Sequence, residues 1–168
     1  LYLNQKTNFF KDNLRFLHIA PEYCFLPIFK KQKNLDYTTA DLNSPWADVN
    51  MDVHQIPYEE NSFDDIMCNH VLEHVEDDHK VMTEFYRVMK KGGMGVFQIP
   101  IDITREETFD DPSITEPKER EKHYWQADHL RLYGLDYGKK LEAVGFEVIE
   151  DNFINELSEK EVKRFALP

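Results

Sequence analysis

Apolar positions along the chain follow two different periods. Short runs rich in β-branched and aromatic residues, bounded by turn formers, recur at Phe16-Leu17-His18-Ile19-Ala20, closed by Pro21, at Leu35-Asp36-Tyr37-Thr38-Thr39-Ala40-Asp41, and at Ser62-Phe63-Asp64-Asp65-Ile66-Met67-Cys68. Runs of this length and composition predict buried strands rather than helices. Residues 49–53 predict a further short strand. A fifth is predicted over 94–100, entered through Gly92 and Gly93, and a sixth over 146–149.

Between these runs the spacing becomes helical. Val81, Phe85, Val88 and Met89 recur at helical intervals over 77–91, with Asp77 or Asp78 to cap the start and Lys90, Lys91 and Gly92 to close the end. Residues 25–31 predict a short helix with Phe25, Ile28 and Phe29 inward and Pro27 in its first turn. Residues 135–144 predict another, with Leu141 and Val144 inward and Gly145 as its left-handed C-cap. Leu157 to Phe165 also has helical character. Alternating strands and helices imply βαβ units. The expected fold class is therefore α/β: a Rossmann-like, doubly wound, mainly parallel sheet with helices on both faces in three layers. The whole chain, 1–168, is expected to form one domain with its core over 15–150. Residues 102–127 break the alternation: they are charged, contain Pro112 and Pro117, and follow the carboxyl end of a strand. Ligands bind at that edge of open α/β sheets, so this segment is expected to be a substrate-facing cover.

Composition narrows the class of protein. A 41% hydrophobic share with 12 Phe, 8 Tyr and 2 Trp in 168 residues argues against disorder and suits one core. No apolar run reaches the roughly 20 residues that cross a bilayer, so no membrane insertion is expected. The first residues lack the apolar stretch of a secretory leader. The chain opens on Leu1 rather than Met, as a piece of a longer product would. The 32 acidic against 20 basic residues, a net charge of −12, argue against a nucleic-acid partner. Lys30-Lys31-Gln32-Lys33 reads as a solvated helix end. Cys24 and Cys68 form no metal-type pair, and reduced thiols in a cytoplasmic protein are the simplest account of them.

Several blocks together resemble the class I S-adenosylmethionine-dependent methyltransferases, in the small-molecule branch of that family. Residues 62–75, Ser-Phe-Asp-Asp-Ile-Met-Cys-Asn-His-Val-Leu-Glu-His-Val, resemble its "sFD" strand running into a "vLEHv" turn. Arg87-Val88-Met89-Lys90-Lys91-Gly92-Gly93 looks like its "LKPGG" helix end, and Asp52 to Tyr58 like its "D-x-x-x-L-P-F" segment. Asp128-His129-Leu130-Arg131-Leu132-Tyr133 and Leu141 to Phe146 are similar to its "DH-x-R-x-Y" and "L-x-x-A-G-F" blocks. The set covers about 15–150 in family order. One departure stands out. Where the family carries "LDIGCGxG" after its first strand, this chain reads Leu17-His18-Ile19-Ala20-Pro21-Glu22-Tyr23. Ala20 replaces a glycine that lets backbone approach a ligand, Pro21 removes an N–H, and His18 stands where an acid is common. The antiparallel strand that ends such sheets has no evident counterpart after Ile149.

The resemblance implies S-adenosylmethionine as cofactor and methyl transfer by in-line displacement to a small-molecule, lipid or saccharide acceptor. It places His18, Ala20, Pro21, Glu22, Asn69 and His70 around the methionine portion, Asp41 and Leu42 at the ribose, and Asp52, Val53 and His54 at the adenine. On chemistry alone, Asp41 suits a ribose diol or a strand-end turn, Asp52 an adenine amino group or an Asx-turn, and Glu22 an ammonium or a surface position. His123, Trp125, His129, Arg131 and Tyr133 are the candidate acceptor contacts. No catalytic residue is assigned; His129, beside Asp128, is the candidate base for an oxygen acceptor, and 128–133 equally suits a capped lead-in to the next helix. No metal is expected. Two other readings compete. A non-catalytic, methyltransferase-like binding domain is suggested by the altered Ala20-Pro21-Glu22 turn. His70-Val71-Leu72-Glu73-His74 also matches the zinc-peptidase pattern H-x-x-E-H, which needs both histidines on one helical face. An NAD oxidoreductase is disfavoured, since no G-x-G-x-x-G follows the first strand.

Overall fold

The computed structural model describes residues 1–165. Its elements run α1 (Tyr2–Lys6), β1 (Leu14–Ile19), α2 (Leu26–Phe29), β2 (Leu35–Asp41), β3 (Val49–Asn50), β4 (Phe63–Cys68), α3 (Asp78–Val88), β5 (Met89–Val96), α4 (Pro117–Tyr124) and α5 (Tyr137–Ala143). A 3₁₀ turn at Phe153–Glu156 and α6 (Glu159–Arg164) follow. The strands form one sheet in the order β3-β2-β1-β4-β5, and every ladder is parallel. This is the expected three-layer α/β arrangement.

The alternation along β1 decides which layer packs on which face. Leu17 and Ile19 point to one face, where they join Ile66 and Cys68 of β4, Val81, Met82, Phe85 and Val88 of α3, and Tyr137 and Leu141 of α5. Phe16 points to the other, against Phe9, Phe29 of α2, Leu35 and Met67. Both faces are therefore dry, which is what an all-parallel sheet requires. Helix α3 follows the predicted pattern. The Asp77 carboxylate accepts from the Lys80 backbone N–H at 2.9 Å, and the buried stripe falls on the expected apolar positions.

Four local expectations need correction. The fifth strand begins at Met89 rather than at 94, because the chain enters the ladder directly from α3, pairing Met89 with Phe63 and then, across a bulge, Met94 with Asp65. Only glycine fits at 93, where a Cβ would lie 2.0 Å from the Asp64 carbonyl oxygen. Residues 97–100 leave the ladder. Helix α2 is a single turn with Pro27 inside it as expected, burying Leu26 and Phe29 while Ile28 stays exposed. The third strand stops at Asn50, and Asp52 turns the chain away. Residues 146–149 are not a strand. Phe146 packs its ring on Tyr86 and Phe97, but the segment's backbone makes no ladder among the described residues. Gly145 does cap α5 at φ +115°, with its N–H on the Glu142 carbonyl.

Candidate functional site at the carboxyl edge of the sheet

Strands β1 and β4 lie side by side, and their carboxyl ends both finish in strained backbone. Ala20 has φ +47° and His70 φ +55°, the left-handed region that L-residues rarely occupy. Such conformations persist only where surrounding structure imposes them, and they concentrate at functional sites. At Ala20 the backbone keeps a path that glycine would follow easily, and its N–H donates to the Ala40 carbonyl at 2.8 Å. His70 is held by its own N–H on the Gln98 carbonyl at 2.8 Å, which ties the end of β4 to the chain leaving β5.

A chain of hydrogen bonds joins these strand ends. His18 is fully buried, with Nδ1 2.8 Å from the Tyr37 hydroxyl and Nε2 2.7 Å from Glu22 Oε2. Asn69 Nδ2 donates to Glu22 Oε1 at 2.7 Å, and the Gln98 N–H donates to Asn69 Oδ1 at 3.3 Å. Burial drives the His18 imidazole below its ordinary pKa, against the opposing pull of Glu22. Burial likewise raises the Tyr37 phenol, keeping its proton. The directions agree: Tyr37 donates to the Nδ1 lone pair of a neutral His18, whose Nε2–H donates to Glu22. Glu22 thereby lies across the gap between β1 and β4, with its side chain 32% exposed. A carboxylate has about four acceptor positions, so the two donors leave room for a further cation or donor. Tyr37 and Gln98 were not singled out from sequence, because only the tertiary register brings them to this edge.

The acids further along the edge serve their own turns. Asp41 Oδ1 accepts from the N–H groups of Asn43 and Ser44 at 2.8 and 2.7 Å, and Asp52 Oδ1 from the N–H and Nδ1 of His54 at 2.9 and 2.7 Å. The turn roles foreseen for both are present. Leu42 beside Asp41 is exposed, while Val53 is half-buried and packs on the core. Pro21 is half-buried next to Ala20.

A pocket of about 340 Å³ opens next to this network, lined by His70, Glu73, His74, Pro100, Trp125 and His129, with Gln126 at its side. The segment 102–127, which contains α4, thus reaches the carboxyl edge through Trp125, itself at φ +72°. A hollow of similar volume lies at the opposite, amino edge of β1 and β2, where open α/β sheets do not bind their ligands.

The structure separates the five candidate acceptor contacts. Trp125 and His129 line the pocket. His123 sits on α4 near Glu119 and Phe109, away from it. Arg131 and Tyr133 do not reach the pocket: Arg131 is 3% exposed and donates to the carbonyls of Leu72, Val75 and Glu76 and to Asp110. Tyr133 is fully buried on Leu72 O and Asp78 Oδ2. Both fasten the turn after β4, because a turn with several inward carbonyls needs buried donors. That turn is not helical, so His70 and His74 do not share a helical face and the H-x-x-E-H peptidase reading fails on geometry. No helix among the described residues is long and apolar enough to cross a membrane.

Comparisons with known proteins agree with this architecture. Residues 27–97 match the family model described as a methyltransferase domain. An uncharacterized protein of Methanocaldococcus jannaschii is 30% identical over 95 residues, covering 56% of this chain and 43% of that protein. The crystal structure of the 4+2 cyclase SpnF superposes with a TM-score of 0.64 at 17% identity, over 83% of this chain and 54% of that one. The 1,6-didemethyltoxoflavin-N1-methyltransferase of Burkholderia thailandensis, solved with 1,6-didemethyltoxoflavin and S-adenosylhomocysteine, gives 0.61 at 15% identity over 83% and 63%. The chain therefore spans less than two thirds of the length of each of these proteins, and at such identities the structural likeness establishes the fold. Over residues 27–97 the chain is thus similar to methyltransferase domains, and its β3-β2-β1-β4-β5 sheet gives it the Rossmann-like α/β fold that these solved structures share.

Proposed function

We propose that this chain binds S-adenosylmethionine at the carboxyl edge of β1 and β4 and supports methyl transfer to a small-molecule, lipid or saccharide acceptor. The observation that carries the reading is the Glu22 carboxylate, fixed by His18 and Asn69 between two strand ends in left-handed backbone. The family's usual acid is missing from position 18, and Glu22 brings a negative charge to the same strand end from four residues further on. That charge is what the ammonium group of an amino-acid moiety requires, and a charge-assisted bond of this kind contributes about 1.5–3 kcal/mol. The residues present fit the cofactor on this count and on the left-handed path retained at Ala20.

Asp41 accepts two backbone donors through Oδ1, and its Oδ2 has no partner among the described residues, so a ribose hydroxyl can be added without dismantling the turn. Val53 and His54 offer an apolar and an aromatic surface beside Asp52 for adenine. When bound, the cofactor supplies a methyl group already activated on a sulfonium, so the chain's part is to align an acceptor and exclude water. Trp125, from the 102–127 segment, and His129, just beyond it, line the pocket and are the proposed contacts for the acceptor. Acidic composition favours acceptors other than nucleic acid.

Calorimetry with S-adenosylmethionine and S-adenosylhomocysteine tests the first half of the reading, and a screen of acceptors with labelled cofactor tests the second. Saturable binding that the Glu22→Gln variant weakens about tenfold or more is the expected result. A second reading, a non-catalytic domain with an altered or lost cofactor site, has its own support: both Glu22 oxygens are already engaged within the protein. Folded protein that binds neither compound would establish it, leaving a binding domain with another ligand.

A further inference from the structure

Outside the hydrogen-bond chain at His18, one group of titratable side chains stands apart. Glu73 and His74, on the turn after β4, and His129, on the loop after α4, present one ligand atom each, all within 4.8 Å of one another. Glu73 is 1% exposed, and its Oε2 has no hydrogen-bond partner among the described residues. A buried carboxylate oxygen left without a donor is costly, and native proteins rarely tolerate one without a reason. The other oxygen, Oε1, is 3.3 Å from His70 Nδ1. Each histidine brings a ring nitrogen within 4.8 Å of a Glu73 carboxylate oxygen. His129 is buried, and its Nδ1 lies 2.8 Å from the Tyr124 carbonyl, so the proton of the neutral ring sits on Nδ1 and the lone pair on Nε2. His74 Nδ1 is 3.4 Å from Asp128 Oδ2, and the two imidazoles meet edge to face at 4.7 Å. An imidazole whose far nitrogen is held by a carbonyl or carboxylate is the usual state of a metal-bound histidine.

We propose that Glu73, His74 and His129 form a binding site for one divalent transition-metal ion of the zinc class, at the wall of the 340 Å³ pocket. Two imidazoles and a carboxylate are the donor set that Zn²⁺ and related ions accept, with remaining positions left for water or an oxygen of a pocket ligand. Tetrahedral bonds of about 2.0–2.1 Å place ligand atoms about 3.4 Å apart. Side-chain shifts of under an ångström meet that requirement. The ion would neutralise the orphan oxygen and join the β4 turn to the loop that carries Trp125 and His129. The site is distinct from the peptidase pattern. It uses Glu73 as a ligand and takes its second histidine from the distant Asp128-His129 block rather than from His70.

The test uses the full chain stripped with a chelator and titrated with Zn²⁺, then with Co²⁺ as a visible probe, in the absence of S-adenosylmethionine so that the outcome is independent of cofactor binding. Expected are one Zn²⁺ per chain, reversal by chelator, a rise in Tm on loading, and visible Co²⁺ absorption of a low-symmetry site. Glu73→Gln, His74→Ala and His129→Gln should each weaken Zn²⁺ affinity about tenfold or more, while His123→Ala leaves it unchanged. His74 is 31% exposed in its side chain, so His74→Ala carries the test should His129→Gln fail to fold by circular dichroism. Absence of saturable binding near one ion per chain overturns the proposal. So does affinity that survives both His74→Ala and His129→Gln.

Discussion

At the residue scale, the decisive feature is how one carboxylate is held. The proposed role of Glu22 at the cofactor's ammonium depends on His18, which is buried and neutral and donates its Nε2–H to the carboxylate. Glu22→Gln keeps the shape and removes the charge. Loss of one charge-assisted bond of about 1.5–3 kcal/mol predicts S-adenosylhomocysteine binding weaker by at least tenfold in calorimetry. An unchanged Kd would remove Glu22 from the site. His18 also makes stability depend on pH. Its folded pKa lies below the ordinary 6.5, so the unfolded chain takes up a proton first as the solution is acidified. The contribution of His18 to stability is therefore complete above pH 6.5 and is lost as pH falls from there toward the lowered folded value. Urea unfolding at a series of pH values between 7 and about 5 should show falling stability, and His18→Gln should flatten part of that fall. Equal slopes in the two proteins would contradict it.

At the element scale, the turn after β4 is the part most dependent on distant support. Arg131 supplies donors to three of its carbonyls and also reaches Asp110. Removing it in Arg131→Ala leaves those carbonyls and the nearby Asp78 short of donors, at an expected cost of about 3 kcal/mol or more in chemical denaturation. The same variant should make the 72–76 turn a site of proteolysis. A cost below about 1 kcal/mol, the usual worth of an exposed ion pair, would show that the staple contributes little. Gly145 is a second element-scale control. At φ +115°, with Tyr86 Cζ 2.7 Å from a would-be Cβ, Gly145→Ala should cost more than the roughly 1 kcal/mol of the conformational term alone. Thermal unfolding of the variant reads it directly, and an unchanged Tm would mean that Tyr86 swings aside freely.

At the scale of the whole molecule, an acidic chain surrounds a sheet that is dry on both faces. The net charge of −12 predicts no retardation of duplex RNA or DNA even at low salt, where electrostatic binding is strongest. A salt-sensitive shift of either would reveal a cationic surface that the net charge hides. The first and last described segments also meet: Lys6 pairs with Glu156 at 2.6 Å, and the Tyr2 and Phe153 rings pack edge to face at 5.4 Å.

How much of this was written locally can be judged element by element. The strands at 14–19, 35–41 and 63–68, the helix at 78–88 and the glycine cap at 145 follow from spacing and turn chemistry, because each reflects which side chains must face a core. The family blocks lay in the sequence too, since a turn signature is a run of neighbours. Tertiary structure decided the rest. It alone set the edge of the sheet at β5, because a strand exists only where a partner offers ladder bonds, and 146–149 met side chains instead. It turned Arg131 and Tyr133 from candidate contacts into struts, since burial is invisible in a residue's own neighbours. It also brought Glu22 onto His18 and Asn69, and Glu73 and His74 beside His129. Such groupings join residues far apart in the chain, and their proximity depends on how parallel crossovers return each strand end to the same edge.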